Sequence, residues 1–271
     1  MNHREPGTLA GEDRVLPLAS KPLLSLRQAS VQFGAVRALE NIDLTLHAGE
    51  RLALVGANGS GKTTLLRLLH GLVPLSTGER CWDPRLLAGS HPAGPHPIAV
   101  RPSPRPPTMA MVFQRPFLLN LSVRNNLRIA LWLRGVGRAE RGGRVGQALT
   151  RVGLTALADR PAGVLSGGQQ QRLALGIAWA AQPDVLFLDE PTASLDPSAK
   201  REVEGLIDEL ARDGLTVVMT THNLGQAKRL ATRVIYLEAG RLVVDKPVVS
   251  FFSEALPFAA EQFLQGELSW N

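Results

Sequence analysis

The run GANGSGKTT, Gly56 to Thr64, constrains this chain more than any other segment of it. It matches G-x-x-x-x-G-K-[ST], with the apolar run RLALV before it and the helix-spaced TTLLRLLHGL after it. Strand, tight loop, helix is therefore the expected order. Gly56, Gly59 and Gly61 let the backbone curl so that successive N–H groups face one phosphate chain. The helix that follows turns its positive end toward the same anion. Lys62 is expected to reach the terminal phosphates, and the Thr63 hydroxyl to ligate Mg²⁺. The candidate nucleotide-binding residues are Gly56, Ala57, Asn58, Gly59, Ser60, Gly61, Lys62, Thr63 and Thr64.

VLFLDE supplies a second half to such a site. Asp189 ends an apolar strand, where a carboxylate is costly unless it serves a cation. It is a candidate for the Mg²⁺ shell, and the adjacent Glu190 for accepting a proton from an attacking water. By itself a carboxylate pair could be a solvated strand exit. Beside a phosphate-binding loop, the catalytic reading is much the stronger.

Along the chain, LLSLRQASVQF and IDLTL predict a β-rich front portion, and MAMVF, VLFLD and TVVMT predict short buried parallel strands. Residues 122–157 read as helical, with loop signals at Gly135–Gly137 and Gly142–Gly143. RVIYLEAGRLVVD reads as a hairpin around Ala239–Gly240. Residues 1–21 read as a flexible tail, 84–107 as a proline-rich surface loop, 22–248 as one nucleotide cassette with a helical lobe at about 115–165, and 249–271 as a helical extension. The class is α/β: a mostly parallel core sheet, an antiparallel β portion and an inserted helical lobe. The lone Cys81 excludes an internal disulfide and a cysteine metal cluster. The first twenty residues lack the apolar block of a secretory signal. No apolar run approaches the ~20 residues that span a bilayer, so a link to a membrane is expected to run through a partner. The formal charge of +6 suits nucleotide, nucleic acid or an anionic surface without choosing among them.

LSGGQQQR, Leu165 to Arg172, narrows the reading. Ser166, Gly167 and Gly168 form a donor-rich start to a helix, a second phosphate reader in one chain. The run resembles the signature motif of ATP-binding-cassette (ABC) ATPases, and roughly residues 23–245 follow that family's order of motifs. The resemblance implies the P-loop ABC architecture and a head-to-tail homodimer. Each ATP then lies between one subunit's loop and the partner's signature, here Ser166, Gly167, Gly168 and Gln169. It further implies that Gln114 is the Q-loop glutamine, touching Mg²⁺ or water. Ser194, Leu195 and Asp196 form the D-loop, and His222 is the switch histidine at the γ-phosphate. Phe33 takes the place of the aromatic stacked on adenine. Asn223 departs from the aspartate that often follows the histidine.

A cassette without membrane helices resembles those of importers. The resemblance implies an integral membrane permease, a periplasmic or lipid-anchored solute-binding protein reached indirectly, and a peripheral place on the cytoplasmic face of the membrane. The run FQRPFLLNLSVRNNL and the ending FFSEALPFAAEQFLQGELSW resemble tungstate importer ATPases, with no room for the extra β-domain of many sugar and molybdate ATPases. Phosphate, molybdate and polar amino-acid importers are the alternatives. A soluble ABC ATPase acting on DNA or ribosomes is the remote one, since the chain shows no second cassette, coiled coil or zinc motif. No nucleic-acid partner is expected.

Overall fold

Four apolar runs, RLALV, VLFLD, TVVMT and RVIYLE, stack side by side and are buried on both faces. That is why they read as continuous rather than alternating hydrophobic sequence. The computed structural model describes residues 22–82 and 108–268. The expected tail at 1–21 and the proline-rich loop at 84–107 lie outside the described residues.

In chain order the front of the molecule is β1 Pro22–Phe33, β2 Val36–His47, β3 Arg51–Val55, α1 Lys62–His70, β4 Thr77–Cys81 and β5 Met109–Val112. The helical part follows, with α2 Val123–Leu133, α3 Arg138–Arg151 and α4 Gly167–Ala180. The remainder is β6 Val185–Asp189, α5 Pro197–Arg212, β7 Thr216–Thr220, α6 Leu224–Leu230, β8 Arg233–Glu238, β9 Arg241–Pro247, α7 Val248–Ser253 and α8 Phe258–Leu268. β2, β1 and β4 form a three-stranded antiparallel sheet; β5-β6-β7-β3-β8-β9 form a six-stranded sheet. The latter is parallel except for the β8–β9 hairpin. The fold class expected from sequence is the one observed.

The period of two along each strand divides the interior into two cores. Leu52, Leu54, Val185, Phe187, Val218, Ile235 and Leu237 face α1 and the antiparallel sheet. Ala53, Val55, Leu186, Leu188, Val217, Met219, Val234 and Tyr236 face the layer of α2 to α8. The phosphate-loop helix is thus packed between two sheets.

Two readings need correction. Gly142 and Gly143 lie inside α3 and do not break it. Its buried Val145, Ala148 and Leu149, followed by Val152, repeat at helical spacing against the lobe core, and that packing outweighs the poor helix propensity of glycine. The loop is confined to Arg134–Gly137, where Gly135 takes φ 75°. The sequence also gave no sign of β4, because TGERC is polar and mostly exposed. It is a strand only because β1 offers it an edge.

Candidate functional site

Strand register builds the site. Val112 pairs with Leu188, Asp189 with Thr220, and Leu54 with Thr220. The residues just beyond these pairs, Gln114, Glu190, His222 and Gly56, therefore emerge together at the carboxyl edge of the parallel strands. This is where open α/β sheets hold ligands.

At the phosphate loop, Gly56 has φ 144°, and a Cβ there would come within 2.2 Å of the Leu237 carbonyl oxygen. Gly61 has φ 103°, and its Cβ would meet the Ala38 carbonyl oxygen at 2.8 Å. Both positions thus require glycine. Gly59 also has positive φ, at 81°. Ser60 and Lys62 are buried. The Ser60 carbonyl accepts from Gly240 N, and Glu40 N donates to the Gly240 carbonyl, so β2 and the β8–β9 turn brace the loop. Lys62 Nζ donates to the Gly56 and Ala57 carbonyls at 2.8 and 2.9 Å, which holds the ammonium over the loop. Thr63 and Thr64 lie in the first turn of α1, which carries no acidic residue to compete for an anion. Phe33 is 52% exposed at the tip of the β1–β2 hairpin, and the strand running back from that tip carries Ala38 against the loop.

Opposite the loop, Asp189 Oδ1 accepts from Thr63 Oγ1 at 3.0 Å and from Thr220 Oγ1 at 2.8 Å. Arg67 approaches its other oxygen at 3.8 Å. Glu190 sits at φ 45°, a conformation costly for a residue with a Cβ. It is held there by Glu190 N donating to Thr220 Oγ1 at 2.9 Å and by its carbonyl accepting from Ala193 N at 3.2 Å. Its Oε2 lies 3.2 Å from His222 Nδ1. Thr220 is fully buried and joins both carboxylate residues through one hydroxyl. Sequence reasoning missed it. The only available signal was a hydroxyl residue ending a buried strand next to a candidate catalytic histidine.

Thr63 and Asp189 offer hard oxygen donors already in contact, which fits Mg²⁺. Among the described residues no group of three or more His, Cys, Asp or Glu could hold a metal. Protein ligands would therefore be few, with the rest of the shell left to phosphate and water, as is usual for Mg²⁺. Gln114 is exposed in the turn after β5, next to the strand that carries Asp189.

The signature residues lie on another element, the start of α4. Ser166 caps α4 through a reciprocal pair: Ser166 Oγ accepts from Gln169 N at 3.3 Å, and Gln169 Oε1 accepts from Ser166 N at 3.0 Å. Ser166 and Gly167 are exposed. Gly168 is buried where a Cβ would meet Ala199 Cβ at 2.6 Å, so α4 and α5 approach closely at this end. Asp196 caps α5 by accepting from Ser198 N and Ala199 N. These bonds hold its carboxyl below the usual range, with the Ala199 amide the largest cause. Ser194 is exposed and Leu195 half-buried beside Gly167. Asn223 caps α6 with its side-chain oxygen accepting from Gln226 N at 2.8 Å, a bond an aspartate could make equally well.

A family model described as ABC transporter matches residues 39–193, more than half of the chain. The chain belongs to the ABC transporter family. It is 34% identical to the glutamine transport ATP-binding protein GlnQ of Escherichia coli, over 82% of this chain and 90% of that protein. It is 40% identical to the macrolide export ATP-binding/permease protein MacB 2 of Yersinia pestis, over 85% of this chain but only 34% of that protein. The chain thus spans about a third of the length of these MacB relatives. Among solved structures, cbiO1 of Clostridium perfringens, part of an ABC transporter complex, superposes with TM-score 0.72 at 25% identity, covering 92% of this chain and 97% of the other. A dimeric ATP-binding cassette bound to ADP and Pi superposes with TM-score 0.66 at 27% identity, over 83% and 99% of the two chains. The fold of this ABC family member is therefore the P-loop ATPase fold of the family.

Proposed function

We propose that this chain is the ATP-hydrolysing subunit of an ABC importer. The observation that carries the reading is the convergence of Lys62, Thr63, Asp189, Glu190 and His222 at one sheet edge. Loop N–H groups and Lys62 bind the β- and γ-phosphates of ATP, and Phe33 offers its face to adenine. Thr63 and Asp189 would hold Mg²⁺, with Gln114 in the turn after β5 as a further candidate. The ion, when bound, neutralises charge building on the phosphates. Glu190 takes a proton from the water that attacks the γ-phosphorus. His222 orients the Glu190 carboxylate from 3.2 Å and faces the γ-phosphate. ADP departs from the same loop.

The exposed start of α4 at Ser166 and Gly167 is a second donor-rich helix start besides the phosphate loop's own, which supports the reading of a homodimer sharing Ser166, Gly167, Gly168 and Gln169 across its seam. Each α4 N-terminus then meets the ATP of the partner copy, with Ser194, Leu195 and Asp196 lining the seam. No helix among the described residues is long and apolar enough to cross a membrane. Coupling to an integral membrane permease on the cytoplasmic face is read from the segment after Gln114. Phe117 is 87% exposed there and lines a half-open cavity of about 180 Å³ together with Phe113, Pro116, Leu118, Ala130, Arg134 and Ile177. Buried Asn126 fixes this segment to α2, donating to the Leu119, Leu121 and Ser122 carbonyls and accepting from Leu119 N. A pull at Gln114 is thus transmitted as a rigid shift of the lobe.

For the cargo, the FQRPFLLNLSV run favours tungstate, delivered by a solute-binding protein. A second reading, an amino acid, is favoured by the relatives named for glutamine and methionine, GlnQ and MetN of Rhizobium johnstonii, the latter 34% identical over 91% of this chain and 67% of its own length. Cells lacking the gene should lose uptake of tungstate, read as intracellular metal. Loss of labelled glutamine or methionine uptake with tungstate uptake intact would select the second reading. For the chemistry, Lys62→Ala should lose MgATP binding. Glu190→Gln should keep binding, form an ATP-dependent dimer and lose about 10²–10⁴-fold in turnover. Normal turnover in Glu190→Gln would move the base elsewhere.

A further inference from the structure

Gln226 is the most buried polar side chain of α6, only 1% exposed, and the chemistry above leaves it unused. Its amide nitrogen donates to Thr192 Oγ1 at 2.9 Å and to Glu204 Oε1 at 3.2 Å, which engages both of its N–H groups. Glu204 in turn is gripped by Arg229: Nε donates to Oε2 and Nη2 to Oε1, both at 3.0 Å. This planar fork neutralises the carboxylate. Thr192 lies two residues beyond Glu190 and is itself buried. Gln226 lies four residues beyond His222, on the helix that Asn223 caps.

Two bridges therefore join the same two segments. One is His222 to Glu190 at the reacting edge. The other is Gln226 to Thr192, one helical turn behind it. An apolar side chain would be the cheaper occupant of so buried a position. A directional amide instead fixes the register of α6 against the turn after Glu190. That turn needs outside support, because Glu190 holds a left-handed φ of 45° with a Cβ in place.

We propose that Gln226, with Glu204 and Thr192, is a set of positioning residues that sets the Glu190–His222 geometry for water attack. The inference rests on the reading of Glu190 and His222 as the hydrolytic pair. Without the amide bridge, α6 and the Glu190 turn relax independently, and the base and the switch histidine lose alignment while the phosphate loop is untouched.

Steady-state ATP hydrolysis by the whole chain tests this, with thermal melting as a control on folding. Gln226→Met, close in shape and unable to donate, should lower kcat about ten- to a hundredfold, the cost of a small misplacement at a reacting centre. KM for ATP should stay within about twofold, because the lost alignment matters only at the transition state. Thr192→Val should fall in the same direction. Glu204→Gln and Gln226→Glu should each be impaired. A kcat unchanged in Gln226→Met, or a loss appearing in KM alone, overturns the proposal. So does an unchanged kcat in Thr192→Val, which removes the same bridge from its other end and decides the matter if Gln226→Met fails to fold. Absence of hydrolysis by the unmodified chain would instead bring down the hydrolytic reading of the site, and this inference with it.

Discussion

Thr220→Val is the sharpest probe of the site, because it changes one hydroxyl to a methyl at constant shape. Thr220 is 0% exposed, so no water can take over the two bonds it makes. The first, from Glu190 N at 2.9 Å, leaves a buried N–H without a partner when lost, at about 1–3 kcal/mol. The second, to Asp189 Oδ1 at 2.8 Å, is a bond to a carboxylate, worth about 1.5–3 kcal/mol. Asp189 keeps the Thr63 hydroxyl, so the lower half of that range applies and the total is about 2.5–5 kcal/mol. In a chain of this size each kcal/mol moves Tm by about 2–4 °C, so the variant should melt about 5–20 °C lower. Thr220→Ser keeps the hydroxyl and loses one methyl, about 0.8 kcal/mol. The assay is melting with and without MgATP, together with steady-state hydrolysis. Turnover should fall steeply in Thr220→Val and modestly in Thr220→Ser. Equal stability and turnover in the two variants would show that the hydroxyl organises nothing.

Other consequences are open to direct measurement. Gly142 and Gly143 sit in α3 with open space around each Cβ position and no positive φ, so Gly142→Ala/Gly143→Ala should gain about 1 kcal/mol per site, raising Tm by roughly 4–8 °C; unchanged or lower Tm would contradict helical geometry there. Burial against the Phe187 ring edge, with Arg134 and Arg80 near, holds the His70 imidazole below its usual pKa. A depressed histidine pKa leaves its stability intact above the unfolded-state value near 6.5 and loses it as pH falls below that value and on through the folded pKa. The drop in Tm between pH 7.5 and 5.5 should therefore be smaller in His70→Leu than in the unmodified chain, as differential scanning calorimetry would read. Phe117→Glu should leave basal hydrolysis and Tm unchanged while abolishing stimulation by the proposed permease, since Phe117 contributes almost nothing to the core; a fall in basal hydrolysis would make Phe117 a core residue of the lobe.

The β-front, the parallel strands, the phosphate loop and the carboxylate pair at Asp189–Glu190 were legible in the sequence. Each is local. A loop that must present consecutive N–H groups needs glycine at fixed offsets, and Gly56 and Gly61 prove to sit where a Cβ would strike a carbonyl oxygen. Strands buried on both faces must be apolar without interruption, so RLALV, VLFLD and TVVMT announce themselves.

Tertiary structure alone decided the rest, for reasons equally physical. The hydroxyl of Thr220 matters because strand pairing sets it beside Asp189, thirty-one positions away in the chain. Gln226 reaches Thr192 across thirty-four positions because α6 and the turn after β6 meet over the same sheet edge. Gly142 and Gly143 are helical because Val145, Ala148 and Leu149 find a core, a gain that no local propensity contains. TGERC is a strand because β1 has an edge to fill. Motifs whose constraint is the backbone's own geometry are written in contiguous residues. Contacts whose constraint is register between distant elements exist only once those elements have packed.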